Sequence, residues 1–193
     1  MLAHLRPALV MLVLFTALTG LAYPLAVTGL AQVVLPSSAN GSLVSRNGTT
    51  VGSALIGQSF SSEKYFRGRP SAAGEKGYDA AASSGSNMGS TSKKLIDRVN
   101  ADVAALRGTG APTAIPADAV TTSASGLDPH ISPTYALLQV PRVAVARRVS
   151  EDRVRALLDR VAERPFLGVI GEPRVNVLQL NLMLDFALAG DAG

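Results

Sequence analysis

The stretch LVMLVLFTALTGLAYPLAVTGLAQVVL, residues 9–35, decides the fold of this 193-residue chain. It holds 27 consecutive residues without a charged side chain. As an α-helix rising about 1.5 Å per residue, the stretch would be about 40 Å long. A hydrocarbon core of about 30 Å needs roughly 20 residues, so the stretch is long enough to cross a bilayer with some tilt. We therefore predict a transmembrane helix over residues 8–35.

Two other interpretations of this stretch stay open. A cleaved signal peptide has an apolar region of only about 7–15 residues that ends in a small-x-small cleavage site. The run here is about twice that length, and no Ala-x-Ala occurs within it. A helix buried in a soluble protein is the other alternative. The length of the run favours the permanent anchor.

The charges beside the anchor predict its orientation. Arg6 and the α-amino group precede it, so the positive-inside rule makes residues 1–7 a short cytoplasmic end. Residues 36–193 then form a domain outside the cytoplasm. The chain has no cysteine, which fits an oxidising compartment and excludes a disulfide framework, a thiolate metal site and a cysteine nucleophile.

The remaining composition narrows the possible partners. Charged residues make up 17% of the chain, below the roughly 25% of ordinary soluble domains. Aromatic residues are 5%, so the mixture of basic and stacking side chains found in nucleic-acid binders is absent, and we predict no nucleic-acid partner. His4 and His130 are the two histidines, which argues against a multi-histidine zinc site.

Residues 36–90 predict short extended pieces and loops. Asn40-Gly41 and Asn47-Gly48 are turn signals, which indicate a small hairpin followed by a strand over residues 54–60. Tyr65-Phe66 is typical of another short extended piece. Residues 68–90 contain 15 Gly, Ser or Ala out of 23. We expect a long irregular loop there, either pinned at an interface or serving as a flexible surface linker.

From Thr91 the pattern becomes helical. An apolar stripe predicts a helix that Gly108 ends, and a short strand is predicted over residues 119–122. Ser132-Pro133 opens a second helix, which must end or kink at Pro141 and can resume to about residue 148. Ser150 caps a third, which ends before Pro165.

Residues 175–188 fit either a strand or a helix, and the helix with Asn176 as its cap fits the length better. With the short strands predicted earlier in the chain, the helices of residues 36–193 make up a small α+β domain burying one core.

The motifs of several enzyme and transport classes are missing. There is no phosphate-binding Gly-x-x-x-x-Gly-Lys-Ser/Thr loop, no dinucleotide fingerprint, no phosphorylation loop of P-type pumps and no potassium-filter sequence. His130 could act as a general base with Asp128, which leaves an anchored extracytoplasmic hydrolase or binding module as the alternative. An Asp-Pro-His turn is more often structural. Residues 84–87 could form an anion-binding nest, although a tight turn is favoured.

The predicted anchor carries small, hydroxyl and amide residues that a passive lipid-facing helix would not need. Such residues allow close backbone approach and hydrogen bonding between membrane helices. Pro24 should kink the helix and leave carbonyl groups near Gly20 free. We expect a packing face formed by Thr16, Thr19, Gly20, Tyr23, Pro24, Thr28, Gly29 and Gln32.

Sequence motifs along almost the whole chain resemble those of one known family. The first motifs are TGLAYPL at 19–25, TGLAQ at 28–32, GSLV at 41–44, LIGQ at 55–58 and YFRGRPS at 65–71. They continue with SGSN at 84–87, SGLDPHISP at 125–133 and GEPRVNVLQLNL at 171–182. So many motifs in the same order resemble the C subunit of the Kdp potassium-transporting ATPase. The departures are small: Ser90 stands where the family commonly has proline, and Arg148 where glycine is usual.

This resemblance implies a non-catalytic subunit in a bacterial inner-membrane complex. Its partners would be a potassium-channel-like A subunit, a P-type ATPase B subunit and a small F subunit, besides membrane lipid. The family is described as a catalytic chaperone that raises the ATP affinity of the B subunit. No cofactor would be bound firmly by this chain, because ATP and potassium are handled by the complex. Candidate interface or structural residues within the motifs are Ser86, Asn87, Gly126, Asp128, Pro129, His130, Arg174, Asn176 and Asn181.

Overall fold

A computed structural model of the protein describes residues 2–108, 110 and 114–188. The chain divides into two compact units between Ser53 and Ala54. In the first unit, helix α1 (Leu2–Ala17) continues through a π-helical turn (Leu18–Ala22) into α2 (Tyr23–Val34). Residues His4–Val34 are long and apolar enough to cross a membrane, with a mean hydropathy of 2.1. This bears out the predicted long apolar helix.

The rest of the first unit is a single helical turn, α3 (Pro36–Ala39), and a hairpin of β1 (Leu43–Arg46) and β2 (Thr49–Ser53). The two strands pair antiparallel around the Asn47-Gly48 turn, where both residues have positive φ. The predicted hairpin is confirmed. The strand predicted over residues 54–60 is wrong: residues 54–55 turn, and the Gly57 N–H donates to the Leu127 carbonyl at 2.7 Å.

Most of the regular structure in the described part of the second unit is helical, and it also contains a pair of two-residue strands. Its helices are α4 (Lys93–Gly108), α5 (Pro133–Arg147), α6 (Glu151–Val161) and α7 (Val177–Leu188). β3 (His130–Ile131) pairs antiparallel with β4 (Val175–Asn176). The small α+β fold is confirmed, and residues 175–188 prove to be a short strand followed by the favoured helix. The core lies among α5, α6 and α7, with fully buried side chains at Phe66, Val140, Val143, Val154, Leu158, Val175, Leu180 and Leu184.

The predicted caps are present because their hydroxyl and amide oxygens accept the free N–H groups of a first helical turn. Ser132 Oγ accepts from Tyr135 N–H at 3.0 Å, and Ser150 Oγ from Arg153 N–H at 3.4 Å. Asn176 Oδ1 accepts from Gln179 N–H at 3.1 Å. Helix α5 does not end at Pro141 but runs through it.

The strand predicted over residues 119–122 is also wrong. A 3₁₀ turn (Ala117–Ala119) stands there, because the Asp118 carboxylate is held by the start of α5. Its oxygens accept from the Ser132 N–H at 2.6 Å and the Ser132 hydroxyl at 3.0 Å. Residues 68–90 are irregular, as expected, apart from a 3₁₀ turn (Ala80–Ala82). They are folded against residues 121–128 rather than forming a free linker.

Candidate functional site

The first candidate site is the polar stripe of the apolar helix. In an uninterrupted α-helix, residues four positions apart differ by about 40° around the helix axis. Thr16 and Gln32 are four such steps apart, so they would lie about 160° apart on the helix surface. The π-helical turn inserts the equivalent of one residue and turns the later part back by about 100°. The polar stripe is thereby gathered within about 80° of the helix surface, and its members are Thr16, Gly20, Pro24, Thr28 and Gln32.

The π-helical turn lies immediately before Pro24, which has no N–H to donate to Gly20. The Tyr23 N–H donates instead to the Leu18 carbonyl, five residues back. The kink predicted at Pro24 stays a prediction; the structure has the π-helical turn immediately before this residue. Thr19 Oγ1 donates to the Phe15 carbonyl at 2.7 Å, so its hydrogen is used within the helix. On the same geometry Gly29 lies about 100° from the centre of the polar stripe.

The second candidate site is residues 125–132, here called the crossing segment, where most loops of the second unit meet. Ser125 accepts through its carbonyl from the Ser84 N–H at 3.0 Å and the Ser83 hydroxyl at 2.9 Å. The Pro129 carbonyl accepts from the Val177 N–H at 3.0 Å. One short segment therefore ties the 68–90 loop to the start of α7.

Gly126 allows the backbone of the crossing segment to approach the backbone at Ala73 closely. Its φ is +67°, and a Cβ built there would lie 2.8 Å from the Ala73 nitrogen. The Ser71 hydroxyl donates to the Gly126 carbonyl at 2.6 Å and accepts from the Tyr78 N–H at 2.8 Å. Any side chain at this position meets both a strained backbone region and backbone atoms. Gly126 therefore has a structural role at the crossing.

Asp128 joins three groups in the crossing segment. Its Oδ1 accepts from the His130 N–H at 3.0 Å and lies 3.3 Å from His130 Nδ1. Its Oδ2 lies 3.4 Å from an Arg69 guanidinium nitrogen. The hydrogen bond with the His130 side chain is the main cause that holds the pKa of the Asp128 carboxyl below its ordinary value. Asp128 closes an Asx-type turn, as the structural interpretation of Asp-Pro-His expects.

Tyr78 packs over the glycines around Asp128. Its hydroxyl donates to the Arg69 carbonyl at 2.7 Å. A Cβ at Gly57 would lie 2.6 Å from its ring. Burial raises the pKa of Tyr78 to about 12, so the phenol stays protonated and keeps donating. Neither Arg69 nor Tyr78 was among the predicted site residues, because nothing local to them signals the contact.

Two side-chain amides form the hydrogen bonds with the backbone of residues 66–67 that a neighbouring β-strand would otherwise form. Asn181 Oδ1 accepts from the Phe66 N–H at 2.8 Å, and its Nδ2 donates to the Phe66 carbonyl at 2.9 Å. Gln139 makes the same pair of bonds with Arg67, at 2.8 and 3.0 Å. The extended piece predicted at Tyr65-Phe66 is therefore held by side chains of α5 and α7 and is not part of a sheet. Gln139 was missed by the sequence reasoning.

The other predicted site residues make separate contacts, which they do not share with one another. Asn176, 2% exposed, donates to the Ala54 carbonyl at 2.9 Å, and Arg174 pairs with Glu163 at 2.8 Å. Asn87 is exposed with a φ of 51°. Ser86 lines a cavity of about 360 Å³ together with Lys94, Arg98 and Asp102. Among the described residues, no group of three His, Cys, Asp or Glu side chains could hold a metal ion.

These features define a class of protein in which an apolar helix of membrane-spanning length is followed by a small α+β domain. Contacts between its loops hold that domain together. The family described as "K+-transporting ATPase, c chain" matches residues 5–186. The chain belongs to this family, KdpC. It is similar to the Potassium-transporting ATPase KdpC subunit of Caulobacter vibrioides, with 63% identity over 186 residues, 96% of this chain and 94% of the relative.

Two further relatives with the same name support this membership. The subunit from Allorhizobium ampelinum is 57% identical over 187 residues, 97% of this chain and 98% of the relative. That from Rhodopseudomonas palustris is 56% identical over 198 residues, 97% of this chain and 98% of the relative. The predicted resemblance is confirmed, and with it the prediction of a non-catalytic subunit of a potassium-transporting ATPase.

Proposed function

We propose that this chain holds the potassium-transporting complex together through the polar stripe of its apolar helix. The helix spans the bacterial inner membrane, residues 1–7 face the cytoplasm and the second unit lies in the periplasm. The partners are the channel-like A subunit, the ATP-hydrolysing B subunit and the small F subunit. The chain itself binds neither ATP nor potassium firmly.

The observation that supports this proposal is that the π-helical turn brings the residues of the polar stripe onto one side of the helix. Among the described residues nothing lies within 4 Å of a Cβ built at Gly20, and the side chains of the stripe are exposed. Lipid tails give no hydrophobic drive for helices to associate, so close backbone approach and interhelical hydrogen bonds must supply it. A continuous row of small and polar side chains offers both to one neighbouring helix.

The contacts of Asp128 argue against the alternative of an anchored hydrolase. A general base needs a nucleophile within hydrogen-bond reach of its imidazole as well as a carboxylate that orients it. Asp128 accepts from the His130 backbone and lies 3.3 Å from its ring, and among the described residues no hydroxyl or other nucleophile contacts that ring. The pair of side chains has the geometry of a turn that fixes the crossing segment.

The catalytic-chaperone role fits this topology only through indirect coupling. In the proposed orientation residues 36–193 and the cytoplasmic ATP lie on opposite sides of the membrane. The chain raises the ATP affinity of the B subunit through its membrane helix, or its periplasmic domain covers the potassium entrance of the A subunit. Photo-crosslinking of an ATP analogue to residues 36–193 in intact, oriented membranes would contradict both routes.

Assembly is tested with a leucine placed on or off the polar stripe. We expect Gly20→Leu to reduce recovery of the A and B subunits on co-purification, because the added side chain separates the helices. Ala26→Leu is the matched control, since the π-helical turn places Ala26 about 180° from Thr16. Gly29→Leu should have an intermediate effect. Equal recovery with all three variants would refute the packing face.

The orientation is tested separately with introduced cysteines, because the chain has none of its own. Val145→Cys, on an exposed position of α5, should react with a membrane-impermeant maleimide in cells with a permeabilised outer membrane. His4→Cys should react only after the inner membrane is opened. The reverse pattern would overturn the periplasmic placement.

A further inference from the structure

Residues 166–170 form an apolar hairpin tip that no contact described so far uses. Phe166 and Ile170 exchange backbone hydrogen bonds of 2.9 and 3.0 Å. At the base, Glu163 and Arg174 exchange another pair, of 2.8 and 3.1 Å. Four large apolar side chains of the tip face outward: Phe166 is 68% exposed, Leu167 78%, Val169 81% and Ile170 62%.

We propose that this apolar hairpin tip inserts into the surface of the lipid bilayer in which the chain is anchored. The inference rests on the proposed insertion of the apolar helix. An isolated exposed apolar residue needs no explanation, but four together on one projecting turn mark an interaction site. The flanking arginines are placed to meet lipid phosphates while the tip enters the apolar layer.

Most backbone N–H groups of the tip are paired within the turn. In lipid, each unpaired backbone N–H or C=O group is costly, so an inserted turn must satisfy its own groups. The Gly168 N–H donates to the Pro165 carbonyl at 3.0 Å, and the Val169 N–H to the Phe166 carbonyl at 3.2 Å. With the Phe166–Ile170 pair, these bonds satisfy four of the five backbone N–H groups of residues 166–170, and a shallow insertion leaves the Leu167 N–H and the carbonyls of residues 167–169 to headgroup water. A protein partner would also be recognised by polar side chains, and residues 165–171 contain none.

The charge around the tip favours a phosphate surface. Residues 160–174 contain three arginines and two glutamates, and one glutamate, Glu163, is neutralised by Arg174. Arg160 and Arg164 are exposed, and neither is paired with a carboxylate among the described residues. Glu172 is the opposing charge. The excess of free arginine attracts anionic headgroups modestly.

The first unit supplies a short tether. The Ser53 hydroxyl donates to the Gly41 carbonyl at 2.7 Å, which returns the chain to a point seven residues past the end of the apolar helix. Seven residues span at most about 25 Å. The second unit follows directly along the chain, so its covalent link to the proposed anchor raises the local concentration of lipid.

Tryptophan fluorescence tests the insertion, because the chain has no tryptophan of its own. Full-length Leu167→Trp is reconstituted into vesicles of phosphatidylcholine and phosphatidylglycerol with brominated acyl chains. We expect emission at shorter wavelength and several-fold stronger quenching than for Val145→Trp, an equally exposed control on α5. Arg164→Glu in the Leu167→Trp background should lower the quenching.

The outcomes separate the two proposals and the two classes of occupant. Vesicle flotation of each variant first reports whether the apolar helix is inserted; failure there refutes the proposed anchor. With flotation intact, quenching of Leu167→Trp no stronger than that of Val145→Trp overturns lipid insertion. Quenching that disappears when the complete complex is reconstituted also overturns it, and assigns the tip to a protein interface.

Discussion

The apolar helix and the second unit differ in where their polar side chains find partners. In the helix, none of the span is buried within the chain, and the polar stripe faces outward. In the second unit, Asn181, Gln139 and Asp128 are all committed to internal hydrogen bonds. We therefore expect the polar stripe to find its partners outside this chain, whereas these polar side chains of the second unit find theirs inside it. Substitutions in the helix should change assembly, and substitutions in the second unit should change stability.

Loss of Asn181 should give the largest effect on stability. Asn181→Ala leaves the N–H and carbonyl of Phe66, a fully buried residue, without partners. Each such group costs about 1–3 kcal/mol, so we expect a loss of about 3–5 kcal/mol in the free energy of unfolding. Thermal unfolding of the full chain in detergent, followed by circular dichroism, measures it. Gln179→Ala, on the exposed face of the same helix, is the control, and an equal shift in both would deny the amide its role.

Gly126→Ala tests how much stability depends on the close backbone packing at the crossing segment. The added methyl group meets the Ala73 nitrogen at a φ of +67°, and we expect a loss of about 2–3 kcal/mol. Gly89→Ala is the matched control, because a Cβ there meets nothing within 4 Å. The same unfolding midpoints are compared. A midpoint for Gly126→Ala that equals that of Gly89→Ala would show that the two loops can separate freely.

Asp128→Asn should destabilise the second unit in a pH-dependent way. The folded-state pKa of Asp128 is lowered, so its contribution is present above the unfolded-state pKa and is lost as the pH falls through the folded-state pKa. We expect a difference of about 1 kcal/mol at neutral pH, because the group is partly solvated. The difference should shrink as the pH falls through the folded-state pKa and vanish once the carboxyl is protonated in both states. Urea unfolding at neutral pH and at a series of acidic pH values measures it, and a constant difference would refute the electrostatic account.

Arg148→Gly should have the smallest effect and the opposite sign. Arg148 ends α5 with a φ of 58°, a left-handed conformation that glycine adopts at little cost. We expect a gain of about 0.5–1 kcal/mol. Ala146→Gly, within the last turn of α5, should instead destabilise by a similar amount. If both glycines destabilise, the strain at Arg148 is offset by the side chain.

The amino-acid sequence alone determined the elements that depend on neighbouring residues. The length of the apolar run, the caps at Ser132, Ser150 and Asn176, and the Asn47-Gly48 turn all act within a few residues. These predictions are confirmed for that reason. Family membership followed from motifs that occur in the family's order along the chain. These motifs indicated Gly126, Asp128 and Asn181 as candidate residues but did not show which groups they contact.

Only the tertiary structure decided what happens between distant segments. Phe66 and Asn181 are 115 positions apart, and no local pattern shows that an amide side chain replaces a strand. Asp118 turns residues 117–119 because it is held by Ser132, 14 positions on, which overrode the local strand propensity. A buried backbone group takes whichever partner packing brings to it, and local propensity does not encode that partner.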